Sequence, residues 1–324
     1  MKVLNLLNVI IIEVKRDNKN IYLLLDSGFP HSFSNDINSI SNTDLGIDVK
    51  FNLNLKNKGI DLSRVNELFG IKLSGILGID FFHIFNNIKI DINEKQIEFN
   101  TNDFDYDFDI DLLNTRPFII NISLENNKNF GSCVVDTGAF SCMKFSGNFN
   151  NNYKSSRGWV FPAAMVDQMR IDYYSDVELY FNNNFSPGKY IVGISNNLPH
   201  IPFSYVLGLN FMTDYICFFD LINNKLKFKK SNKSNILNIN TRPLYSLKFQ
   251  VKIINKEIIV SNILDGCNLD INVGDKIIIP DLDMDNLEVV NDIYNKIIFL
   301  NSDDEIELIC NNQKVRYKPV PLFS

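Results

Sequence analysis

The sequence predicts an all-β chain with minor helix, and three observations point to it. Short runs of Ile, Val, Leu, Phe and Tyr, among them IIIEV, IYLLLD, NIKIDI, QIEF, FIINIS and KLKF, are broken by Asn, Asp, Gly and Pro. That is strand and turn chemistry. Sustained 3.6-residue periodicity is scarce, and the better helix candidates are Leu62 to Phe69 and Asp285 to Tyr294. Third, one order of motifs occurs twice. IYLLLDSG is followed by GILGIDFFHIFNNIKIDINEKQIEF, and SCVVDTG by YVLGLNFMTDYICFFDLINNKLKF. The two D-[ST]-G triplets start 110 residues apart, about the length of one small β-domain, so the pattern implies two homologous lobes related by a pseudo-two-fold axis.

From the N-terminus, MKVLNLLNVIII has the apolar character of an export segment, but Glu13 and Lys15 follow without a small-residue cleavage site, and a first strand is the expected reading. Two polar stretches interrupt the strands: the Asp-alternating Thr101 to Asp111 and the Lys, Ser and Asn-rich Lys229 to Asn240. Each ends at Asn-Thr-Arg-Pro, and a proline cannot donate to a central ladder. The expected segments are therefore residues 1–111, 112–237 and 238–324. With 324 residues the chain has room for that many domains. The acidic stretch reads as a solvated strand face or linker, since it has no calcium-loop spacing.

Composition excludes several functions. A net charge of -6, from 32 Lys and Arg against 38 Asp and Glu, gives no basic field for nucleic acid or an anionic bilayer. No apolar run approaches the roughly 18 residues needed to cross a membrane. His31, His83 and His200 are the only histidines and have no ligand-spaced partners, so no metal and no cofactor is expected. Five cysteines without CxxC spacing read as reduced thiols, and the expected compartment is the cytoplasm. Cys133, on an apolar strand, reads as an inert buried thiol rather than a nucleophile.

A single D-S-G or D-T-G is a common turn. Here both leave a fully apolar strand, Leu23-Leu24-Leu25 and Cys133-Val134-Val135, which carries Asp26 and Asp136 out of a buried sheet. Burial raises a carboxyl pKa and a second carboxylate raises it further, so two such groups brought together share one proton. One then serves as base and the other as acid. Gly28 and Gly138 allow a sharp turn beneath the aspartates. The short hydroxyls of Ser27 and Thr137 are placed to lock the two loops to each other across the axis.

With its paired triplets, each followed by hydrophobic-hydrophobic-Gly, the chain resembles the retropepsin-like and pepsin-like aspartic peptidases over roughly its first 230 residues. It looks closest to the bacterial single-chain, retropepsin-like type. The second element is Ile76-Leu77-Gly78 in one lobe and Val206-Leu207-Gly208 in the other, 52 and 72 residues beyond their aspartates. The resemblance implies that Gly78 and Gly208 pack against the Asp loops, and that Asp26 and Asp136 activate a water to hydrolyse peptide bonds. It departs at Phe29 and Pro30, where the family has small residues, and at Ser27, where Thr is commoner. The longer second lobe includes Arg157 to Pro162, where a flap is expected; Trp159 reads either as its aromatic contact or as a cap on the core. His31 reads as a polar residue on a solvated strand face.

Residues 241 to 324 again read as short strands. VSNILDGCNLDINVGDKIIIPD resembles the middle of a PDZ domain, centred on Gly274-Asp275-Lys276-Ile277. That resemblance implies capture of a peptide tail by β-augmentation. The stretch Tyr245 to Phe249, where a carboxylate-binding loop would lie, has no glycine, so a β-module that packs on the lobes is an equal alternative. The expected partners are a peptide or protein substrate, with no nucleic acid and no membrane. A monomer suffices, because duplication supplies both aspartates. A non-catalytic peptide-binding or adaptor protein with a degenerate cleft is the alternative from another class.

Overall fold

In the computed structural model, residues 2–16, 18–34, 39–42, 47–51, 62–101, 104–124, 129–145, 147, 149, 155–156, 171–181, 185–195, 202–232, 245–264, 266–297 and 300–321 are described. The architecture is mostly β. In the first lobe, β1 (Lys2–Leu6), β2 (Val9–Arg16) and β3 (Lys19–Leu25) form a meander. A two-stranded sheet follows, β5 (Ser39–Asn42) with β6 (Ile47–Lys50), after the short β4 (Phe33–Ser34). Helix α1 (Ser63–Phe69) leads to β7 (Leu73–Leu77), the one-turn α2 (Ile79–Phe82), and the hairpin of β8 (Asn87–Asp91) and β9 (Gln96–Phe99).

The second lobe repeats the core of this order. After β10 (Phe108–Asp111) and β11 (Asn114–Thr115) come β12 (Phe118–Leu124), β13 (Gly131–Val135), β14 (Cys142–Phe145), β15 (Ser155–Ser156), β16 (Asp172–Phe181), β17 (Gly188–Ser195) and β18 (Tyr205–Leu207). The one-turn α3 (Leu209–Met212) and the hairpin of β19 (Tyr215–Asp220) and β20 (Lys225–Lys230) close it. In lobe one β3 runs parallel to β7, which is antiparallel to β4; in lobe two β13 runs parallel to β18, which is antiparallel to β14. The same crossed arrangement thus arises from both halves of the repeat. β15 and β16 pair through Ser156 and Tyr173. Trp159, beyond β15, lies outside the described residues.

The two closing hairpins meet in one sheet ordered β10-β20-β19-β8-β9, in which each hairpin gives two adjacent strands and β10 adds an edge strand beside β20. Alternation explains the outer pair. In β10 and the residues before it, aspartates recur at every second position, and in β20 lysines do the same, which puts them on one face. Lys225 Nζ lies 2.6 Å from Asp109 and Lys229 Nζ 2.7 Å from Asp105. The acidic stretch is therefore a strand face charge-matched to its neighbour. Across the lobes, the fully buried Phe82, Phe118 and Phe219 form a ring cluster with centroids 5.0 to 5.4 Å apart, each pair adding about 0.5–1.5 kcal/mol beyond its buried area.

The third segment forms a sheet ordered β22-β23-β24-β25-β26, from β22 (Phe249–Ile254), β23 (Glu257–Ile263), β24 (Lys276–Ile278), β25 (Ile306–Cys310) and β26 (Gln313–Tyr317). β21 (Tyr245–Ser246) pairs with β27 (Val320–Pro321). Helix α4 spans Val289–Ile297 and buries Val289, Val290, Ile293, Tyr294 and Ile297. It starts four residues later than the periodicity suggests. Asp283 and Asn286 accept the amides of Asp285 and Glu288 and hold local turns there, the usual competition of Asx side chains with helix.

This segment is fastened to lobe one. Asn291 Oδ1 accepts the Leu7 amide at 2.7 Å and its Nδ2 donates to Asn5 O at 2.6 Å, while Glu288 accepts the Asn5 amide at 3.0 Å. The β1–β2 turn, with Leu7 and Asn8 both at positive φ, is buried as a result. α1 lies along β22, with Lys252 3.2 Å from Glu67. Asn291→Ala leaves the buried Leu7 amide without its acceptor, and is expected to destabilise the full chain by about 1–3 kcal/mol in denaturant unfolding. An unchanged midpoint would show this attachment to be energetically idle.

Candidate functional site

Each aspartate stands at the end of a central strand whose last three residues are buried on both faces. Leu23, Leu24 and Leu25 are at most 1% exposed, and Cys133 and Val135 are fully buried. The parallel neighbour fixes the exit point. Leu25 is level with Leu77 and Val135 with Leu207, and the amides of Asp26 and Asp136 donate to Leu77 O at 2.9 Å and Leu207 O at 3.0 Å. Beyond the triplets, Phe29 N returns to Asp26 O and Ala139 N to Asp136 O. The two loops are copies down to single hydrogen bonds.

The hydroxyls join them. Thr137 Oγ1 accepts the Ser27 amide at 2.9 Å and donates to Leu25 O at 3.0 Å; Ser27 Oγ accepts the Thr137 amide at 3.0 Å and donates to Val135 O at 2.8 Å. Both residues are fully buried, so four bonds that water cannot replace hold the loops at one separation. Serine supplies the same oxygen as threonine, so the departure at position 27 keeps the exchange complete.

The glycines are dictated by space. A Cβ on Gly28 would sit 2.4 Å from Asp136 Cγ, and one on Gly138 would sit 2.4 Å from Asp26 Cγ. Each carboxyl therefore lies over the other lobe's glycine. Gly28 N donates to Asp26 Oδ1 at 3.0 Å and Gly138 N to Asp136 Oδ1 at 2.8 Å. Gly78 and Gly208 are pressed on the same loops, with Phe29 O and Ala139 O 2.8 and 2.7 Å from where their Cβ atoms would be.

The structure brings Asp26 and Asp136 together at the junction of the two loops, each carboxyl lying over the other loop's glycine. Asp26 is 9% exposed and Asp136 half-buried. Burial pushes the Asp26 carboxyl well above the ordinary range, and the charge and hydrogen bond of Asp136 push it further. Burial also raises Asp136, against the lowering effects of the Gly138 amide, the Asp26 carboxyl and the amides of Ala139 and Gly28. A raised carboxyl pKa contributes stability that is complete below the ordinary range and is lost as pH climbs through the raised value. Asp26→Asn mimics the protonated form and escapes that loss. The variant is expected to match the parent in acid and to melt higher at neutral pH, by about 2–4 °C for each kcal/mol relieved. Equal melting temperatures across both ranges would mean the carboxyls do not interact.

Two residues that the sequence reading passed over complete the loops. Asp80 accepts the Ser32 amide at 2.7 Å and the Ser32 hydroxyl at 2.6 Å, and that hydroxyl accepts the Gly78 amide. Asn210 accepts the Cys142 amide at 2.8 Å and donates to Ile191 O. Both stand two residues after the glycine of their lobe's second motif, so aligning GILGID with YVLGLN is the signal that finds them. The short helices that carry them were hidden because their residues are almost wholly apolar.

The remaining candidates stand apart from the pair. His31 is exposed in the bend after β3 rather than on a strand, and its carbonyl lies under Gly78. His83 caps α2 and bonds Thr115 O at 2.7 Å through Nε2. His200 lies outside the described residues. Cys133 is fully buried and burial raises its thiol pKa, which leaves it protonated. Among the described residues no group of three or more His, Cys, Asp and Glu is placed to hold a metal. No helix among them is long and apolar enough to cross a membrane.

No family model and no curated protein matches the sequence. Among solved structures, the chain is similar to the aspartic proteinase from Irpex lacteus at 12% identity and a TM-score of 0.41, over 74% of this chain and 98% of that one. What the described residues establish is a mostly β chain of two lobes whose Asp26 and Asp136 loops meet, each carboxyl over the other lobe's glycine.

Proposed function

We propose that the chain is an aspartic endopeptidase in which Asp26 and Asp136 together activate a water against a peptide carbonyl. The observation that carries this reading is the reciprocal placement of two carboxyls, each over the other lobe's glycine, with loops tied by exchanged hydroxyl bonds. A pair holding one proton contains a base and an acid at once. The ionised carboxylate takes a proton from the water as its oxygen attacks the carbonyl carbon, and the protonated carboxyl gives its proton to the carbonyl oxygen. In the tetrahedral species the proton taken from water passes on to the leaving nitrogen while the carboxylate that gave its proton takes one back from a hydroxyl of that species; the C–N bond breaks, an acid and an amine depart, and the pair again holds one proton. No covalent enzyme intermediate is needed. Roles are not divided between the two aspartates, because the pair titrates as a unit.

Both aspartates come from one chain, so we assign the activity to a monomer, of the single-chain retropepsin-like type and cytoplasmic. We assign residues 238–324, PDZ-like in sequence, to docking of substrate or partner. Their fixed attachment to lobe one through Asn291 and Glu288 supports this, since a captured chain would be held at a set distance from the dyad.

The test is to incubate the full chain with a mixed peptide library from acid to neutral pH, and to measure binding of a pepstatin-like mimic of the tetrahedral species. Cleavage with the mimic bound at least about 10²-fold more tightly than matched substrate is the expected result. Peptides bound without turnover, and no preference for the mimic, would replace this reading with that of a peptide-binding adaptor.

A further inference from the structure

The backbones of the two loops match closely, so the difference in side chain directly after the triplets stands out. Position 29 and position 139 are equivalent: each follows the triplet glycine, each amide returns to the carbonyl of its aspartate, and each carbonyl accepts the amide after the second motif's glycine, Ile79 N at 2.8 Å and Leu209 N at 2.7 Å. One position carries a benzyl group and the other a methyl. The Phe29 ring is half-buried, its inner part resting on the fully buried Phe33 with centroids 5.4 Å apart. Its contact with Phe33 anchors it, so the ring is a fixed obstacle rather than a mobile one. Ala139 is likewise half-buried and fills almost nothing.

We propose that Phe29 makes the substrate cleft unequal, narrowing the lobe-one side next to Asp26 while Ala139 leaves the lobe-two side open. The inference rests on the peptidase reading and sets its substrate class. Chains cleaved by this protein carry a small side chain, such as Gly, Ala or Ser, at the one position facing Phe29, and a bulky apolar one at the position related to it across the axis. A filled pocket rejects added bulk by steric overlap, whereas an open one gains roughly 10- to 200-fold per fitting apolar group.

The experiment compares two library peptides that differ only in size at the selective position, with full-length parent, Phe29→Leu and Phe29→Ala. The readout is the ratio of kcat/KM for the larger over the smaller peptide within each preparation, which cancels any loss of folded enzyme. That ratio is expected to rise in order, Phe29 lowest, Leu intermediate and Ala at least about 10-fold above the parent. Selectivity at the position across the axis should stay unchanged. A constant ratio in three enzymes that all cleave would overturn this inference and leave the peptidase reading intact. Absence of cleavage by the parent would overturn both.

Discussion

Asp26→Asn and Asp136→Asn are each expected to lower kcat for peptide cleavage by at least about 10²–10⁴-fold, the contribution of a positioned acid or base. The two losses should not add. Either substitution removes the shared proton arrangement, so the double variant is expected to be no slower than the singles, as for residues acting as one unit. The effect should fall on kcat rather than KM, because the pair acts on the reacting atoms. Asparagine keeps the volume of aspartate, and the exchanged bonds of Ser27 and Thr137 use backbone groups and hydroxyls that neither substitution touches. Activity surviving in both single variants would end the peptidase reading.

Gly28→Ala and Gly138→Ala are expected to cost about as much without removing any reactive group. The added methyl would lie 2.4 Å from the Cγ of the opposite aspartate, far inside contact distance. That atom belongs to a short side chain held by the amide of its own loop's glycine and cannot swing away without leaving the pair. The carboxyls must separate, and a displacement of about 1 Å in a catalytic group costs on the order of 10²-fold. The sign of the pH effect also follows. With the pair spread, the part of the Asp26 shift that comes from the charge of Asp136 falls while the part that comes from burial stays, so the Asp26 pKa should drop part of the way toward the ordinary range and its share of the neutral-pH stability penalty should shrink. Full activity in both alanine variants would show that the close approach of the carboxyls is not needed.

Much of this was legible in the chain because duplication writes the same message twice. IYLLLDSG and SCVVDTG put an acid at the end of a buried strand, and two copies a domain's length apart imply a meeting point. The hydroxyls of Ser27 and Thr137 suggested a link between loops, but the sequence does not say that each reaches the carbonyl before the other's aspartate. Asp80 and Asn210 were passed over because one is acidic and one neutral, and only the alignment of the halves makes them equivalent. Asp105, Asp107 and Asp109 do lie on a solvated strand face, as their alternation suggests, but their lysine partners are more than a hundred residues away in sequence and are not legible from it. Local pattern reads periodicity, while pairing partners depend on topology. α4 began late for a local reason, the turn-forming Asp283 and Asn286.

The most direct test of the central claim follows the carboxyl carbons of Asp26 and Asp136 by ¹³C NMR in the full chain as pH is raised from 2 to 8, with each Asn variant used to assign its partner. The expected result is two linked steps, one proton being held well above the roughly 3.9 of an ordinary aspartate. In either variant the remaining carboxyl, freed of its charged partner, should titrate in a single step. Two independent titrations near the ordinary value in the parent protein would contradict a shared-proton pair, and with it the chemistry assigned to this fold.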